Sequence, residues 1–415
     1  AISFNDKNAA AHAAVAEVYD ELRQKEKAIS SYQKALALSP ELTELNAPLG
    51  ILLLQSGEVA KAETYLIKAT ETNQNDAETQ FFKGLLLYKQ NKNSDALAAF
   101  KNAAKIKPDY AEAFYYQGET LDRLDRDKEA IAAYKEAVRL EPRYHEAWFD
   151  LGVAYYNRNR FEDAIAAYKE SIRLNNANGE AYLNLANTYR QLNRYAEASG
   201  QYRLAEAFKQ GGADMYSEWG FCLGKERKWS NAVDKLGKAV ALRDDAVDYT
   251  NLGWAYYNAA QEDLRAKPAR ETEAMAKLGK GRDALAKATT IDRNFGPAFL
   301  NLGITLSDMR DYRGAVAALT RASELRKNWI EAINELGRAY RFQNDYDNAI
   351  KQFKRATEIN GNFAEAYFNL GESEFRRGNA KEARRIQEKL KGMNSYLANQ
   401  LNLILAGAVL VEKKS

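Results

Sequence analysis

The sequence predicts an all-α chain, an array of helix pairs repeated along most of its length. Three observations predict it. Small residues return every 34 positions: Ala16, Gly50, Gly84, Gly118, Gly152, Ala186 and Gly220. A second small set follows twelve residues after each (Ala28, Ala62, Ala96, Ala130, Ala164, Ala198, Ala232) and a third seven further on, with a large apolar residue between them (Tyr32, Leu66, Phe100, Tyr134, Tyr168, Tyr202, Leu236). Only six prolines occur in 415 residues, and segments such as 111–124 and 128–140 carry apolar residues at the 3.6-residue period of a half-buried helix.

Each unit reads as two helices joined by a short turn. In AEAFYYQGETLDRLDRDKEAIAAYKEAVRL (111–140) the first helix runs to Leu124, a turn falls at Asp125-Arg126-Asp127, and the second helix occupies 128–140. The small residues mark where the two helices cross closely, and the large one plugs between them. An aromatic residue often stands four before the first small residue (Phe114, Trp148, Tyr182, Tyr216). Pro40, Pro108 and Pro142 stop the second helices of their units, because proline has no N–H for the helical ladder and its ring clashes with the carbonyl four residues back.

EAWFDLGVAYYNRNRFEDAIAAYKESIRLNN (146–176) carries Trp, Leu-Gly, Tyr, Ala, Tyr and small residues in an order that resembles the tetratricopeptide repeat (TPR) family. The register continues through units starting at residues 9, 43, 77, 111, 145, 179, 213, 246, 296, 330 and 364, eleven in all, so the resemblance covers nearly the whole chain. It implies a right-handed α-solenoid, a superhelix of stacked helix pairs whose first helices line a concave groove.

Taken in order, residues 1–8 align with ALALSPEL (35–42), the end of a second helix, so the chain is expected to start in mid-repeat with a segment missing upstream. Repeats one to seven follow over 9–245. Repeat eight, 246–295, is 16 residues longer than its neighbours. Its extra sequence, AAQEDLRAKPARETEAMAKLGKGR (259–282), is rich in helix formers and predicts two extended helices meeting at a turn before Pro268, with the proline at a first helical position. The resulting polar hairpin reads either as a tolerated surface insertion or as a docking element. Repeats nine to eleven occupy 296–397. Residues 398–415 read as a half-repeat in which Leu401, Ile404 and Ala408 take core positions and Leu405 replaces the usual small residue. This helix is either a cap tucked under the last repeat or an uncapped end able to stack on residues 1–42 of a second copy.

Lys and Arg total 60 against 57 Asp and Glu, a net charge of +3. That balance does not suit a chain whose work is gripping nucleic acid by a basic surface. One cysteine (Cys222) and two histidines (His12, His145) leave almost no material for a disulfide, a metal cluster or a Cys–His nucleophile. Both histidines read as surface residues, and Cys222 as a small buried thiol. No glycine-rich nucleotide motif occurs, so neither catalysis nor a cofactor is expected. The longest apolar run, Leu401 to Val411, is too short to span a bilayer. There is no initiator Met and no leader pattern, which leaves the compartment open: cytoplasmic, or exported if a leader was removed.

In the TPR family, positions 2, 5, 6, 9, 12 and 13 of each first helix tend to face the concave surface. The resemblance therefore makes a candidate groove of Phe81, Tyr88, Tyr115, Tyr116, Phe149 and Tyr156 in repeats three to five. It continues with Asn184, Asn187, Asn251, Trp254, Tyr257, Asn301, Asn334 and Asn369 in repeats six to eleven. Aromatic rings supply apolar contact at little entropic cost, and asparagine offers a peptide backbone both a donor and an acceptor. Asn184, Asn251, Asn301 and Asn369 share position 6 and are similar to the asparagine ladder of O-GlcNAc transferases, interrupted here by Asp150, Glu218 and Glu335. The Lys, Asn and Arg set of the chaperone-adaptor carboxylate clamp is absent from the early repeats, which offer Ala10, Ala13, Ala14 and Glu17, so a chaperone tail is a disfavoured partner. In the last repeat Arg376, Arg377, Lys381, Arg384, Arg385, Lys389 and Lys391 interleave with Glu372, Glu374, Glu382 and Glu388, which reads first as a solvated face and second as a patch for an acidic partner.

Two functions follow as expectations. One is a non-enzymatic scaffold that holds a peptide or protein partner in its groove and at its ends. The alternative is a structural subunit whose copies assemble head to tail into a helical filament through Ile2 and Phe4 at one end and Leu401, Ile404, Leu405 and Val409 at the other.

Overall fold

The computed structural model describes residues 7–266 and 268–407, and among these it holds 23 α-helices, one 3-10 turn and no strand. The helices come in pairs. The first pairs are α1 (Ala9–Glu21) with α2 (Lys25–Leu38), α3 (Asn46–Gln55) with α4 (Val59–Thr72), and α5 (Ala77–Lys89) with α6 (Asn93–Ile106). Next are α7 (Ala111–Arg123) with α8 (Asp127–Leu140), α9 (His145–Asn157) with α10 (Phe161–Leu174), and α11 (Gly179–Gln191) with α12 (Tyr195–Ala207). Then follow α13 (Ala213–Lys225) with α14 (Trp229–Leu242), α15 (Ala246–Arg265) with α16 (Glu271–Ile291), and α17 (Gly296–Asp308) with α18 (Tyr312–Leu325). The series closes with α19 (Ile330–Phe342) and α20 (Tyr346–Ile359), α21 (Ala364–Arg376) and α22 (Ala380–Lys391), and a single α23 (Ser395–Leu405). The chain divides into two compact units, one of residues 1–194 and 203–210, the other of residues 195–202 and 211–415.

The pairs cross where one helix has no side chain and the other has a large one. In the first unit a Cβ added to Gly118 would stand 2.5 Å from the Tyr134 ring, one on Gly152 2.6 Å from Tyr168, and one on Gly84 2.6 Å from Phe100. In the second unit the same relation joins Gly220 to Leu236, Gly303 to Leu319 and Gly337 to Phe353. Each plug is fully buried or nearly so, and each such burial stabilises by roughly 1.5–3 kcal/mol. Gly253 meets Leu285 in the same way although 32 rather than 16 residues separate them. The insertion therefore lies between the two crossing points and leaves the crossing intact.

Turns between paired helices share one backbone device. Arg23, Asn91, Asp125, Asn159, Asn193, Arg227, Arg310 and Asn344 all hold positive φ, as do Gly57 and Gly378 at the same register position. The left-handed residue ends the first helix and lets the next N–H reach back; Arg126 N, for example, donates to Leu121 O at 2.9 Å.

Two prolines correct the expected boundaries. Repeat two does not open as an α-helix at its first position. It begins with a 3-10 turn, Thr43–Leu45, and α3 starts at Asn46. Pro48 then falls in the first turn, where its missing N–H costs no bond. In repeat eight α16 starts at Glu271, so Pro268 lies in the connector and does not open the helix. The hairpin is also less polar than expected: Ala260, Ala274 and Leu278 form a buried stripe with Tyr257, Leu264 and Met309. Its end is clamped by buried Asp263, which pairs with Arg270 at 2.7 Å and with Lys277.

Pro40, Pro108 and Pro142 each stand two residues beyond a helix end, at Leu38, Ile106 and Leu140. Cys222 is buried, whereas His12, expected at the surface, is buried as well, at 4% exposure. The acidic pair of the last repeat is also interior. Glu372 pairs with Arg341 and Arg376, and Glu374 with Arg377 and Lys354. Arg377, Lys389 and Lys391 of the basic face are engaged locally, with Asp347 and Glu374, with the Tyr367 hydroxyl, and with Glu388.

Candidate functional site

Within each unit the first helices of successive repeats touch one another: α3 with α5, α5 with α7, α7 with α9 and α9 with α11 in one, and α13, α15, α17, α19 and α21 in series in the other. No comparable contact joins second helices of successive repeats among the described residues. First helices are thus the closer-packed layer, and each unit bends towards them. The candidate groove positions lie along this inner face, where bonds run from one first helix to the next. Tyr115 Oη donates to Asp150 at 2.8 Å, Gln191 Nε2 to the Tyr156 hydroxyl at 3.2 Å, and Tyr257 Oη to Asp308 at 3.1 Å.

In the first unit the face is aromatic. Tyr88, Tyr115, Tyr116, Phe149 and Tyr156 are partly exposed. Tyr115 packs edge-on against Tyr116 at 5.2 Å and tilted against Tyr144 at 4.9 Å, and Phe149 leans on Tyr168 at 5.8 Å. Tyr88 carries the Arg123 guanidinium on its ring, 3.4 Å from the centroid, and burial pushes its hydroxyl up to about 12. Phe81 is a correction: at 6% exposure it lies in the core against Phe100, Tyr110 and Tyr116 rather than facing a ligand. Asn184 and Asn187 are partly exposed on α11.

Three carboxylates share this face. Asp150 accepts the Tyr115 hydroxyl, Asp122 accepts the Tyr134 hydroxyl at 2.7 Å, and Glu119 stands beside Tyr115. Desolvation, followed by the negative charge of Asp150, pushes Glu119 up to about 7. Desolvation lifts Asp150 to about 6 against the opposing pull of its Tyr115 bond. Glu119 and Asp122 were not among the expected site residues. Their only sequence signal is a carboxylate at positions 9 and 12, where aromatic neighbours desolvate it.

In the second unit Asn251, Trp254, Tyr257 and Asn301 are partly exposed. Trp254 stands edge-on to Trp229 at 5.0 Å and covers Gly224. Asn334 and Asn369 are corrections, because both are buried and bonded within the protein. Asn369 Nδ2 donates to Asn334 Oδ1 and Asn334 Nδ2 to Glu365, each at 3.2 Å. Glu335 at position 6 is raised by desolvation and held by Arg338 at 3.0 Å.

At the ends, Leu401 is fully buried, and Ile404 and Leu405 are partly so. Leu401 and Ala398 belong to the core cluster of Ile386 and Leu390, with Leu405 packed against it. Leu401 is therefore spent inside its own chain rather than offered to a second copy. Ile2, Phe4 and Val409 lie outside the described residues. The open apolar side chains at the ends include Val18 on α1, Leu22 just after it and Leu38 on α2, and Tyr396 and Leu403 on α23, between 39% and 67% exposed. Among the described residues no group of three or more His, Cys, Asp or Glu could hold a metal ion, and no helix is long and apolar enough to cross a membrane.

Tetratricopeptide repeat models match residues 83–144, 128–178 and 149–213, and a second of the same description matches 23–80. A TPR repeat model matches 337–378. None of the curated proteins matches the chain. Among solved structures it is similar to the APC/C hetero-tetramer Cut9-Hcn1, at 13% identity over 95% of this chain and 95% of that chain with a TM-score of 0.45. It is similar to YrrB, described as a TPR protein with an unusual peptide-binding site, at 21% identity over 48% of this chain and 96% of that one with a TM-score of 0.42. A third similarity is to pilF of Pseudomonas aeruginosa, at 20% identity over 49% and 92% with a TM-score of 0.43. The 34-residue register, the helix pairs that cross at its small residues, and family matches spanning more than half of the sequence agree: the chain belongs to the tetratricopeptide repeat family.

Proposed function

We propose that this protein is a non-catalytic scaffold that holds an extended peptide or protein segment along the inner faces of its first helices. One observation carries the reading: successive first helices meet directly and present partly exposed rings, Tyr88, Tyr115, Tyr116 and Phe149, at a fixed register. Rings held this way offer contact area without losing rotamer freedom on binding. The test is selection from a random-peptide library on the immobilised chain, with Tyr116→Ala plus Phe149→Ala as the control. Selected peptides should bind the parent chain and lose affinity by about ten-fold or more in the variant, a difference of ~1.4 kcal/mol. Failure to enrich any peptide over a blank support would end the reading.

A second reading, head-to-tail self-association, rests on the open apolar residues at the two ends, Leu22 at 59% and Tyr396 at 67% exposure. A patch of this kind marks an interface when it is continuous. Sedimentation velocity across a concentration series tests it, and Leu22→Asp with Leu403→Asp should dissolve any assembly. A chain that stays monomeric at high concentration has no such function.

A further inference from the structure

The two units treat the same local charge pattern in opposite ways. Repeat eleven has Glu372 at position 9 and Arg376 at position 13, one helical turn apart, and Arg376 Nε donates to Glu372 at 2.8 Å. Repeat four has the same pair, Glu119 and Arg123. There the arginine lays its guanidinium on the Tyr88 ring and donates to the Tyr88 carbonyl at 3.1 Å; its charge still acts on Glu119, but the two form no ion pair among the described residues. Position 6 shows the same contrast. Glu335 is answered by Arg338 three residues on, whereas Asp150 is followed at that spacing by Val153.

Glu119 and Asp150 are therefore part-buried carboxylates with no Lys, Arg or His nitrogen within 4.0 Å among the described residues. Withdrawing a carboxylate from water without a counter-charge is costly, and a protein normally avoids it or pairs it. The surroundings favour a cation on two further counts. Tyr115 and Tyr116 present rings, whose negative faces attract ammonium and guanidinium groups. Glu78, Glu112, Glu146 and Glu180 recur, exposed, at position 2 of four successive first helices. Each glutamate alone is what a helix N-terminus favours, but the row keeps the approach to this face negative. The chain as a whole carries a net charge of +3, so the bias belongs to the face and not to the composition.

We infer that the inner face of the first unit takes an extended partner segment bearing lysine or arginine, with one cationic head held between Glu119 and Asp150 and its aliphatic stem along Tyr115 and Tyr116. The inference rests on the scaffold reading above and narrows it to basic segments. The charge comes on a side chain rather than as a free metal ion, because no metal-holding group of side chains exists among the described residues.

Fluorescence anisotropy with the full chain and three short labelled peptides tests it. The peptides share one aromatic-spaced sequence, with lysines in the first replaced by glutamines in the second and glutamates in the third. The lysine peptide should bind at least about ten-fold tighter than the glutamine peptide, and added salt should erode the difference. Glu119→Gln with Asp150→Asn, which keeps side-chain shape, should bring the lysine and glutamine peptides to equal affinity, and an unchanged helical circular-dichroism spectrum shows that the variant is folded. If the glutamine or glutamate peptide binds as tightly as the lysine peptide, and Tyr116→Ala weakens all three, the charge inference falls and the scaffold reading stands. If none of the three binds at any salt concentration, and library selection is also empty, both fall.

Discussion

Leu401 fills the space over Gly371: a Cβ on that glycine would lie 2.5 Å from Leu401 Cδ2. In every other glycine-bearing repeat of the second unit the filler comes from the paired second helix, as Leu236, Leu285, Leu319 and Phe353 do. Here the residue sixteen positions after the glycine is Gln387, buried, with its Nε2 donating to Ala398 O at 3.3 Å. The last helix thus supplies the plug its predecessor lacks, and the amide that stands in the plug's place ties the two helices together.

Truncating this plug should loosen the end of the array. Leu401→Ala removes a fully buried side chain and should cost ~2–5 kcal/mol of local stability. Because repeat arrays unfold piecewise, hydrogen exchange in α21, α22 and α23 is the readout, and protection there should fall while α13 and α14 keep theirs. Uniform loss across the second unit would mean that α23 holds more than the final repeat.

Helix crossing gives a second test. Gly152→Leu forces a branched side chain into the Tyr168 ring, 2.6 Å from where its Cβ would lie, and should cost ~1–3 kcal/mol in a urea titration. Gly152→Ala should cost less, because Ala16 already stands opposite buried Tyr32 in the first repeat, where both side chains are accommodated. A neutral leucine would mean that this residue is not at the crossing.

The repeat was legible because it rests on volume. A missing side chain in one helix and a large one sixteen residues later leave a mark in sequence that survives changes of surface. Pro268 misled because a proline marks where a helix ladder can be broken without saying on which side the first turn will sit. The inner face was only half legible. Register placed Tyr88, Tyr115 and Asn369 on it, but whether a side chain is offered or consumed depends on its neighbour 35 residues away. Asn369 meets Asn334 and is used up, while Asp150 meets only a tyrosine hydroxyl. The exchange of Gln387 for Leu401 carried a trace, since the residue at the third small position is Leu390, but the partner's identity required the packing.

Turn residues with positive φ predict gains rather than losses. Arg310 at φ 64° and Arg227 at φ 60° pay for a left-handed conformation that Gly57 and Gly378 adopt freely at the same register. Arg310→Gly should stabilise repeat nine by up to about 1 kcal/mol, the difference between left-handed strain and the extra unfolded-state entropy of glycine. Asn344→Gly should change far less, because asparagine tolerates this region. The urea midpoint and exchange protection in α17 and α18 decide it, and a loss of stability in Arg310→Gly would show that the arginine's contacts outweigh its strain.

The unpaired carboxylates give the array a pH dependence whose sign can be worked out. Glu119 titrates at about 7 and Asp150 at about 6 in the folded chain, both above the usual carboxylate range. The groups facing them are Tyr88 on α5, Tyr115, Tyr116, Asp122 and Arg123 on α7, Tyr134 on α8, Tyr144 before α9, Glu146 on α9, Tyr168 on α10 and Glu180 on α11, of which Arg123 alone carries positive charge. The folded state therefore holds protons that the unfolded chain has already released. Stability should fall as pH rises from the unfolded values near 4 through the folded values near 6 and 7, and level off above them. Exchange protection of α7 and α9 should accordingly be greater near pH 5.5 than near pH 8, once the intrinsic exchange rate is divided out. Glu119→Gln with Asp150→Asn should flatten that slope and raise protection at the alkaline end, since the amides need no counter-charge. A slope unchanged by the double substitution would place the proton uptake elsewhere and remove the electrostatic case for a cationic partner at this face.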